Sequence, residues 1–279
     1  LKAGLRGEYS DLFEEFTLSP RVSFAFKTGK NSQLSLAYGD FYQQPTSEVL
    51  KYTNDLIAQK TQHFIANYQY TANNRIFRAE LYRKEYKNLV TYDTENPIFS
   101  SVFTSNGNGY AQGLDLFWRD DKTFNIDYWL SYSYLDTERK YQNFPTAATP
   151  NFANTHNLSV VAKYWIEDWK SQIGFTYQFA SGRTYTNPNL EGFLQEKTKN
   201  YNSISLNWAY LINQQMILYA SINNVLGFEN VNGYQYSRTP DANGYFDRRA
   251  LLPAADQFFF VGFFWTISDD GVDNQLDNL

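Results

Sequence analysis

Residues 257–268 read QFFFVGFFWTIS, and this stretch decides the fold class. Alternate positions from Phe259 to Ile267 form a wholly apolar face, whereas the other face becomes smaller and more polar toward Ser268. Alternation with a period of two residues predicts a β-strand. In water, such an exposed apolar strand would promote aggregation, but a lipid-facing sheet requires one. We therefore predict a strand that contacts lipid close to the end of the sequence.

The composition also favours a membrane–water boundary. The 279 residues include 23 Tyr, 23 Phe and 6 Trp, so that aromatic residues make up 19% of the chain. Amphipathic rings favour membrane interfaces, and no run approaches the roughly 18 apolar residues that a spanning helix needs. The net charge of −5, without a basic tract, argues against nucleic acid as a partner. The absence of cysteine fits a periplasm-exposed protein but also a cytosolic one.

Period-two alternation continues through nearly the whole sequence and predicts twelve strands. The clearest is 123–138, where apolar residues such as Leu130 alternate with polar residues such as Ser131. The twelve predicted strands are 1–10, 18–28, 32–43, 60–71, 75–91, 109–119, 123–138, 155–166, 169–185, 200–211, 214–226 and 257–268.

The predicted connections alternate in length. Tight turns follow the even-numbered strands, and the link 11–17 is also short. Long connections follow the third, fifth, seventh, ninth and eleventh strands, at 44–59, 92–108, 139–154, 186–199 and 227–256. One rim of short turns and one of long loops is typical of an outer-membrane barrel, whose short turns are periplasmic. We predict an all-β fold, a transmembrane antiparallel β-barrel over 1–268, with 269–279 as an acidic periplasmic tail. A soluble β-sandwich or propeller is the alternative.

Five motifs, in order along the chain, resemble the C-terminal half of the β-barrel of TonB-dependent receptors, especially the Bacteroidota nutrient-import type. They are Ser19-Pro20-Arg21 before a strand, LSLAYGDFYQQP at 34–45, Asn108-Gly109 with Gly113-Leu114-Asp115, FASGRTY at 179–185 and SINNVL at 221–226. The chain departs from the family pattern at Gln43 and Gln44, where an Arg is usual, and at Asp115, where Glu is commoner.

The resemblance implies an outer-membrane receptor that imports a nutrient such as a glycan, a peptide or a metal chelate. The family barrel has about 22 strands, so the twelve predicted here imply a fragment, or a half-barrel that pairs with another chain. The implied partners are the lipid bilayer, lipopolysaccharide, an inner-membrane energising protein acting through a plug domain that this sequence lacks, and a surface lipoprotein. A structural subunit of an outer-membrane assembly and an autonomous twelve-stranded pore remain the alternatives.

Catalytic, metal and cofactor sites are not predicted. The two histidines, His63 and His156, lie in or beside predicted strands, and no serine stands in a recognisable nucleophile setting, so we do not expect an outer-membrane hydrolase. Four aspartates of the tail, Asp269, Asp270, Asp273 and Asp277, lack the closing Glu of a calcium-binding loop. We expect a solvated tail there.

The long connections carry the candidate binding residues. Exposed rings with amide neighbours suit sugars, peptides or a docked lipoprotein, although packing between loops would use the same residues. Arg183, at the outer end of a predicted strand, either contacts ligand or lipopolysaccharide or lies among the headgroups. The candidates are Tyr52, Tyr92, Phe103, Phe144, Arg183, Tyr185, Tyr234, Tyr236 and Tyr245.

Overall fold

In a computed structural model of the chain, residues 1–121 and 123–267 are described, and they form an antiparallel meander. Twelve strands pair in chain order into one sheet. They are β1 (Lys2–Ser10), β2 (Glu15–Lys27), β3 (Ser32–Gln43), β4 (Gln59–Ala72), β5 (Arg75–Tyr92), β6 (Phe103–Asp120), β7 (Ile126–Lys140), β8 (His156–Ile166), β9 (Ser171–Ala180), β12 (Tyr201–Asn213), β13 (Met216–Asn223) and β16 (Phe258–Trp265). The predicted all-β fold with twelve strands in one antiparallel sheet is confirmed.

Small elements lie in the connections. Strands β10 (Thr184–Tyr185) and β11 (Glu196–Lys197) form one hairpin, and β14 (Gly233–Tyr236) and β15 (Arg248–Leu251) form another. The helix α1 (Ser47–Leu50) follows β3. No helix in the described part of the chain is long and apolar enough to span a membrane.

The register places the apolar residues of neighbouring strands on one side of the sheet. Leu130 in β7 lies between Trp118 in β6 and Val160 in β8, whereas Ser131 lies between Phe117 and Ser159. The apolar side is exposed in the isolated chain, as the accessible fractions of 48% for Leu36, 58% for Leu81 and 73% for Val261 show. The predicted assignment of Leu130 and Ser131 to opposite faces is confirmed.

Little of the apolar surface is turned inward. The cluster of buried apolar residues within the described sheet contains Ala209, Leu211 and Ile217, with Trp165 and Tyr219 packed against it. A water-soluble domain of this size would bury a much larger core. The sheet is instead stabilised by its backbone ladder, and its apolar face requires an apolar solvent.

The two rims differ as predicted. Two-residue or slightly longer turns join β2–β3, β4–β5, β6–β7, β8–β9 and β12–β13, while the long connections lie at the opposite ends of the strands. Lys170 and Asn74 adopt positive φ angles of 45° and 63° in two of these turns. An Asn tolerates this left-handed conformation better than most residues do.

Several predicted strand ends were wrong. Strand β6 begins at Phe103 rather than at 109, because its pairing with β5 continues through an irregular, polar part of the ladder. There the Thr91 hydroxyl forms hydrogen bonds with the Thr104 hydroxyl (2.7 Å) and the Asn106 side-chain oxygen (2.7 Å). Both faces are polar there, so no period-two signal marks the strand. Strand β7 begins at Ile126, since a 3₁₀ turn occupies Thr123–Asn125.

The ninth predicted strand, 169–185, was also too long. Strand β9 ends at Ala180. The next carbonyl oxygen, that of Ser181, accepts a hydrogen bond from the Asn154 side-chain amide at 2.5 Å. The last predicted strand, 257–268, is present but shorter, since it runs from Phe258 to Trp265. Ser268 and the predicted tail 269–279 lie outside the described residues.

Candidate functional site

The polar face of the sheet carries a concavity of about 860 Å³, which we call the wall cavity. Its lining side chains bind one another across strands. The Ser133 hydroxyl donates to the Asp115 carboxylate, the Asn67 amide donates to Glu80 at 3.3 Å, and the Arg78 guanidinium lies 5.2 Å from the centre of the Phe117 ring. The wall cavity is therefore a polar surface that carries charges of both signs.

Two glycines of β6 make room for long side chains from the strands on either side. Tyr82 of β5 lies over Gly113, where an added Cβ would stand 2.5 Å from the Tyr82 hydroxyl oxygen. Arg139 of β7 lies over Gly109, where an added Cβ would stand 2.8 Å from the Arg139 Cγ. Glycine is required at such close approaches. The motif at 108–115 therefore shapes the polar face.

A second concavity of about 470 Å³, the upper pocket, lies where α1 and two long connections meet the polar face. Three of the predicted residues come together here. The Tyr52 ring stacks on the Phe103 ring with centroids 5.6 Å apart, and the centroid of the Tyr92 ring also lies 5.6 Å from that of Phe103. Tyr141 and Arg139 complete the wall.

Arg139 is held by rings. Its guanidinium carbon lies 4.2 Å from the centroid of Tyr86, 5.4 Å from that of Phe152 and 5.9 Å from that of Tyr141. The register explains the closest contact, because Tyr86, Gly109 and Arg139 lie in one row across β5, β6 and β7. The glycine between them lets the arginine side chain cross β6 and reach the tyrosine.

Tyr185, Tyr234 and Arg248 form a third group, which joins the two loop hairpins. The Tyr185 and Tyr234 centroids are 4.9 Å apart, the Arg248 guanidinium carbon lies 4.5 Å from the Tyr234 centroid, and Arg248 donates to the Tyr185 hydroxyl at 3.3 Å. Burial, and next the hydrogen bond to Glu196, raise the pKa of Tyr185. The hydrogen bonds donated by Tyr185 and by Asn187 lower the pKa of Glu196.

The same two loops are tied by a reciprocal amide contact. The Asn189 side chain donates to the Phe246 carbonyl oxygen at 2.9 Å and accepts the Phe246 N–H at 2.7 Å. An amide that replaces a backbone pair in this way fixes the relative position of two segments. The connections 181–200 and 224–257 therefore form one joined unit.

The family model "TonB dependent receptor-like, beta-barrel" matches residues 1–225, which is more than half of the chain. The chain belongs to this TonB-dependent receptor-like β-barrel family. Barrels of this family are outer-membrane proteins. No curated protein sequence matches the chain.

Solved structures of outer-membrane transporters share the fold. The transporter YddB from Escherichia coli aligns with a TM-score of 0.70 and 13% identity over 94% of this chain and 42% of its own. The FrpB iron transporter from Neisseria meningitidis aligns with a TM-score of 0.68 and 12% identity over 90% and 38%. The ferric-catecholate import receptor Fiu from E. coli K12 gives 0.66 and 12% over 90% and 35%. At identities this low, these structural alignments show a shared barrel fold alone. The chain spans 35% to 42% of the length of these transporters.

The other predicted loop residues of this TonB-dependent barrel are scattered. Arg183 lines the wall cavity and its Nε donates to Asn154 at 3.4 Å. Phe144 packs on Phe193 with centroids 4.8 Å apart. Tyr236 lies on β14 beside Tyr234, and Tyr245 is 63% exposed in a turn. Most of the predicted rings thus contact other rings, and their role in binding stays a prediction.

The histidines of the barrel lie apart from each other. His63 is on the polar face against the Phe41 ring, with centroids 4.5 Å apart, whereas the His156 Nδ1 lies 2.9 Å from the Tyr132 hydroxyl on the apolar face. In the described part of the chain, no three His, Asp or Glu residues lie close enough together to hold a metal ion. The four tail aspartates fall outside that part.

Sequence reasoning missed two residues of the upper pocket, Arg139 and Tyr141. The predicted seventh strand ended at 138, so both residues fell in a predicted loop, whereas the structure keeps Arg139 in β7. The signal that could have found Arg139 is Gly109, because a glycine inside a strand marks a close approach by a neighbour.

Proposed function

We propose that this chain is the C-terminal half of the barrel wall of a 22-stranded outer-membrane receptor that imports a scarce nutrient with energy delivered through TonB. The observation that carries the proposal is the exposed apolar face of the twelve paired strands, with the polar wall cavity on its reverse. A wall with lipid on one side and water on the other has this pattern. Family membership supports the same conclusion.

The open edges of the sheet support a larger barrel. Strand β1 pairs with β2 and β16 with β13, and within the described residues these two outer strands do not pair with each other. Each unpaired backbone group in lipid costs several kcal/mol, so further strands close the wall. The Bacteroidota nutrient-import type is the proposed subfamily, on the five motifs already described.

The cargo class is proposed from the polar face and its relatives. Fiu is a ferric-catecholate import receptor, FrpB is an iron transporter and OprC is a copper transporter. A metal chelate is therefore the first candidate, with glycans and peptides next, since rings and amides line the upper pocket. The barrel is a transporter wall in this proposal, not an enzyme.

The proposed orientation puts the long connections outside the cell and residues 269–279 in the periplasm. The proposed partners are lipopolysaccharide around the outer rim, TonB through the receptor's plug, and a surface lipoprotein over the joined loops. On intact cells, an added protease should cut within 227–256, while a tag after Leu279 should stay protected. A tag that is digested on intact cells would contradict this orientation.

Uptake by the full-length receptor tests the transport function. Cells with and without functional TonB are given a labelled ferric chelate, an oligosaccharide or a peptide. We expect receptor-dependent uptake of one cargo class that disappears without TonB. Uptake that is equal in both strains would contradict a TonB-dependent receptor and favour a passive pore.

A further inference from the structure

We propose that the upper pocket binds an anionic group carried on an apolar or aromatic moiety, such as an aromatic carboxylate, with Arg139 as its anchor. The inference rests on the proposed function, because it names the chemical class of cargo that the receptor wall recognises. It is carried by three observations: an unsatisfied buried donor, a charge without a partner, and a cavity lined by rings.

The Arg139 guanidinium has a hydrogen-bond donor without an acceptor. In the described part of the chain its Nε is buried and has no hydrogen-bond acceptor. No ion pair there involves its guanidinium, in contrast to Arg75 with Asp120 (2.8 Å) and Arg119 with Asp127 (2.9 Å). Ring contacts offset part of the cost of desolvating a cation, but a ring does not satisfy the in-plane N–H groups.

The position of Arg139 is fixed before any ligand arrives. Its side chain crosses the glycine slot at Gly109 and rests on Tyr86, with Phe152 and Tyr141 on other sides. Its backbone pairs with Ala148 through two hydrogen bonds of 3.0 and 3.1 Å, which holds the following loop against the strand. A preorganised guanidinium loses little freedom on binding, and its planar fork matches a carboxylate or phosphate.

The pocket supplies an apolar wall beside this charge. Its volume of about 470 Å³ lies in the range of small-molecule sites. The stacked Tyr52 and Phe103 rings and the Tyr92 ring form one side. Glu48 and Lys51, which also line the pocket, balance each other, so Arg139 leaves it with a net positive charge. A ring that bears an anionic group satisfies both the charge and the apolar wall.

The test is equilibrium binding of 4-fluorobenzoate to the purified full-length receptor in detergent, followed by ¹⁹F NMR line broadening. The neutral analogue 4-fluorobenzamide and protein-free micelles are the controls for apolar binding. Arg139→Gln is compared with Arg249→Gln, which removes the same charge from an exposed position on β15. We expect Arg139→Gln to weaken benzoate binding about tenfold or more and Arg249→Gln to leave it unchanged.

Tyr52→Leu provides a second variant, because Tyr52 lies in a loop and its loss leaves the strand ladder intact. It should weaken benzoate binding severalfold while the receptor remains heat-modifiable on gels. Unchanged binding in either the Arg139 or the Tyr52 variant, equal binding of the benzamide, or no benzoate binding by the wild-type receptor would overturn the proposal. TonB-dependent uptake alongside any of these results would remove only this inference, whereas benzoate binding without such uptake would remove only the transport function.

Discussion

The substitution Leu130→Arg should impair assembly of the barrel far more than Ser131→Arg. Leu130 lies on the apolar face of β7 between Trp118 and Val160. The apolar positions of this strand run from Ile126 to Tyr134, and Leu130 is in the middle of that run. At about 3.4 Å per residue and a tilt of about 40°, the run spans roughly 21 Å along the membrane normal. This value is close to the thickness of an apolar band, so Leu130 lies near the bilayer midplane.

The expected cost follows from that depth. An arginine on the lipid face at the midplane costs about 2–4 kcal/mol, which corresponds to a roughly 30- to 700-fold loss in the equilibrium between folded and unfolded barrel. Ser131 lines the wall cavity, where an arginine keeps its water. We expect Ser131→Arg to cost less than about 0.5 kcal/mol, as surface substitutions usually do.

The assay is the folded fraction of the full-length receptor, measured by heat-modifiable migration after refolding into lipid vesicles over a urea series. Leu130→Ala is the matched control, since it removes the same side chain without adding charge. The folded fraction should fall steeply for Leu130→Arg and stay near wild type for Ser131→Arg. Equal losses for the two arginine variants would refute the assignment of the faces.

Three further results are expected. Gly113→Ala places a Cβ against the Tyr134 carbonyl oxygen and the Tyr82 hydroxyl, so the free energy of unfolding from the same refolding assay should fall by about 1–3 kcal/mol; an unchanged value would contradict the close approach at Gly113. Asn189→Leu removes both hydrogen bonds to Phe246, so the free energy of local opening in 227–256, measured by amide exchange, should fall by about 1–3 kcal/mol. An unchanged opening free energy would contradict the joining of the two loops. The lowered pKa of Glu196 means that its hydrogen bonds stabilise the hairpin above the ordinary carboxyl pKa and are lost as the pH falls through the lowered value. The protection of the β10–β11 amides, relative to their intrinsic exchange rate at each pH, should therefore fall under acid conditions, and Glu196→Gln should abolish that pH dependence.

The spanning part of the sheet could be predicted from the sequence because one physical constraint dominates it. Lipid on one face and water on the other impose a period of two, and a pattern such as that of β7 keeps it over many residues. The twelve strands and the alternation of short and long connections follow from this pattern. The predictions failed where the constraint ends. Beyond the apolar band, Thr104 and Asn106 extend β6 with polar residues on both faces, so the pattern disappears although the ladder continues.

The candidate site was predictable only in part for a related reason. Aromatic residues in the loops identified Tyr52, Tyr92 and Phe103, and the structure brings these three together. Gly109 signals that some side chain approaches β6 closely, but which one it is depends on the register of three strands that align Tyr86, Gly109 and Arg139. The joined loops depend likewise on Asn189 and Phe246, which are 57 positions apart.

A cysteine scan along β7 in intact cells tests the central claim most directly, since the chain has no cysteine of its own. Single cysteines are introduced one at a time at positions 127–134 of the full-length receptor, and each is treated with a small water-soluble maleimide. We predict labelling at the odd positions, including Ser131, and protection at the even positions, including Leu130. Labelling that ignores the period of two residues, or that favours the even positions, would contradict a wall with lipid on its apolar face.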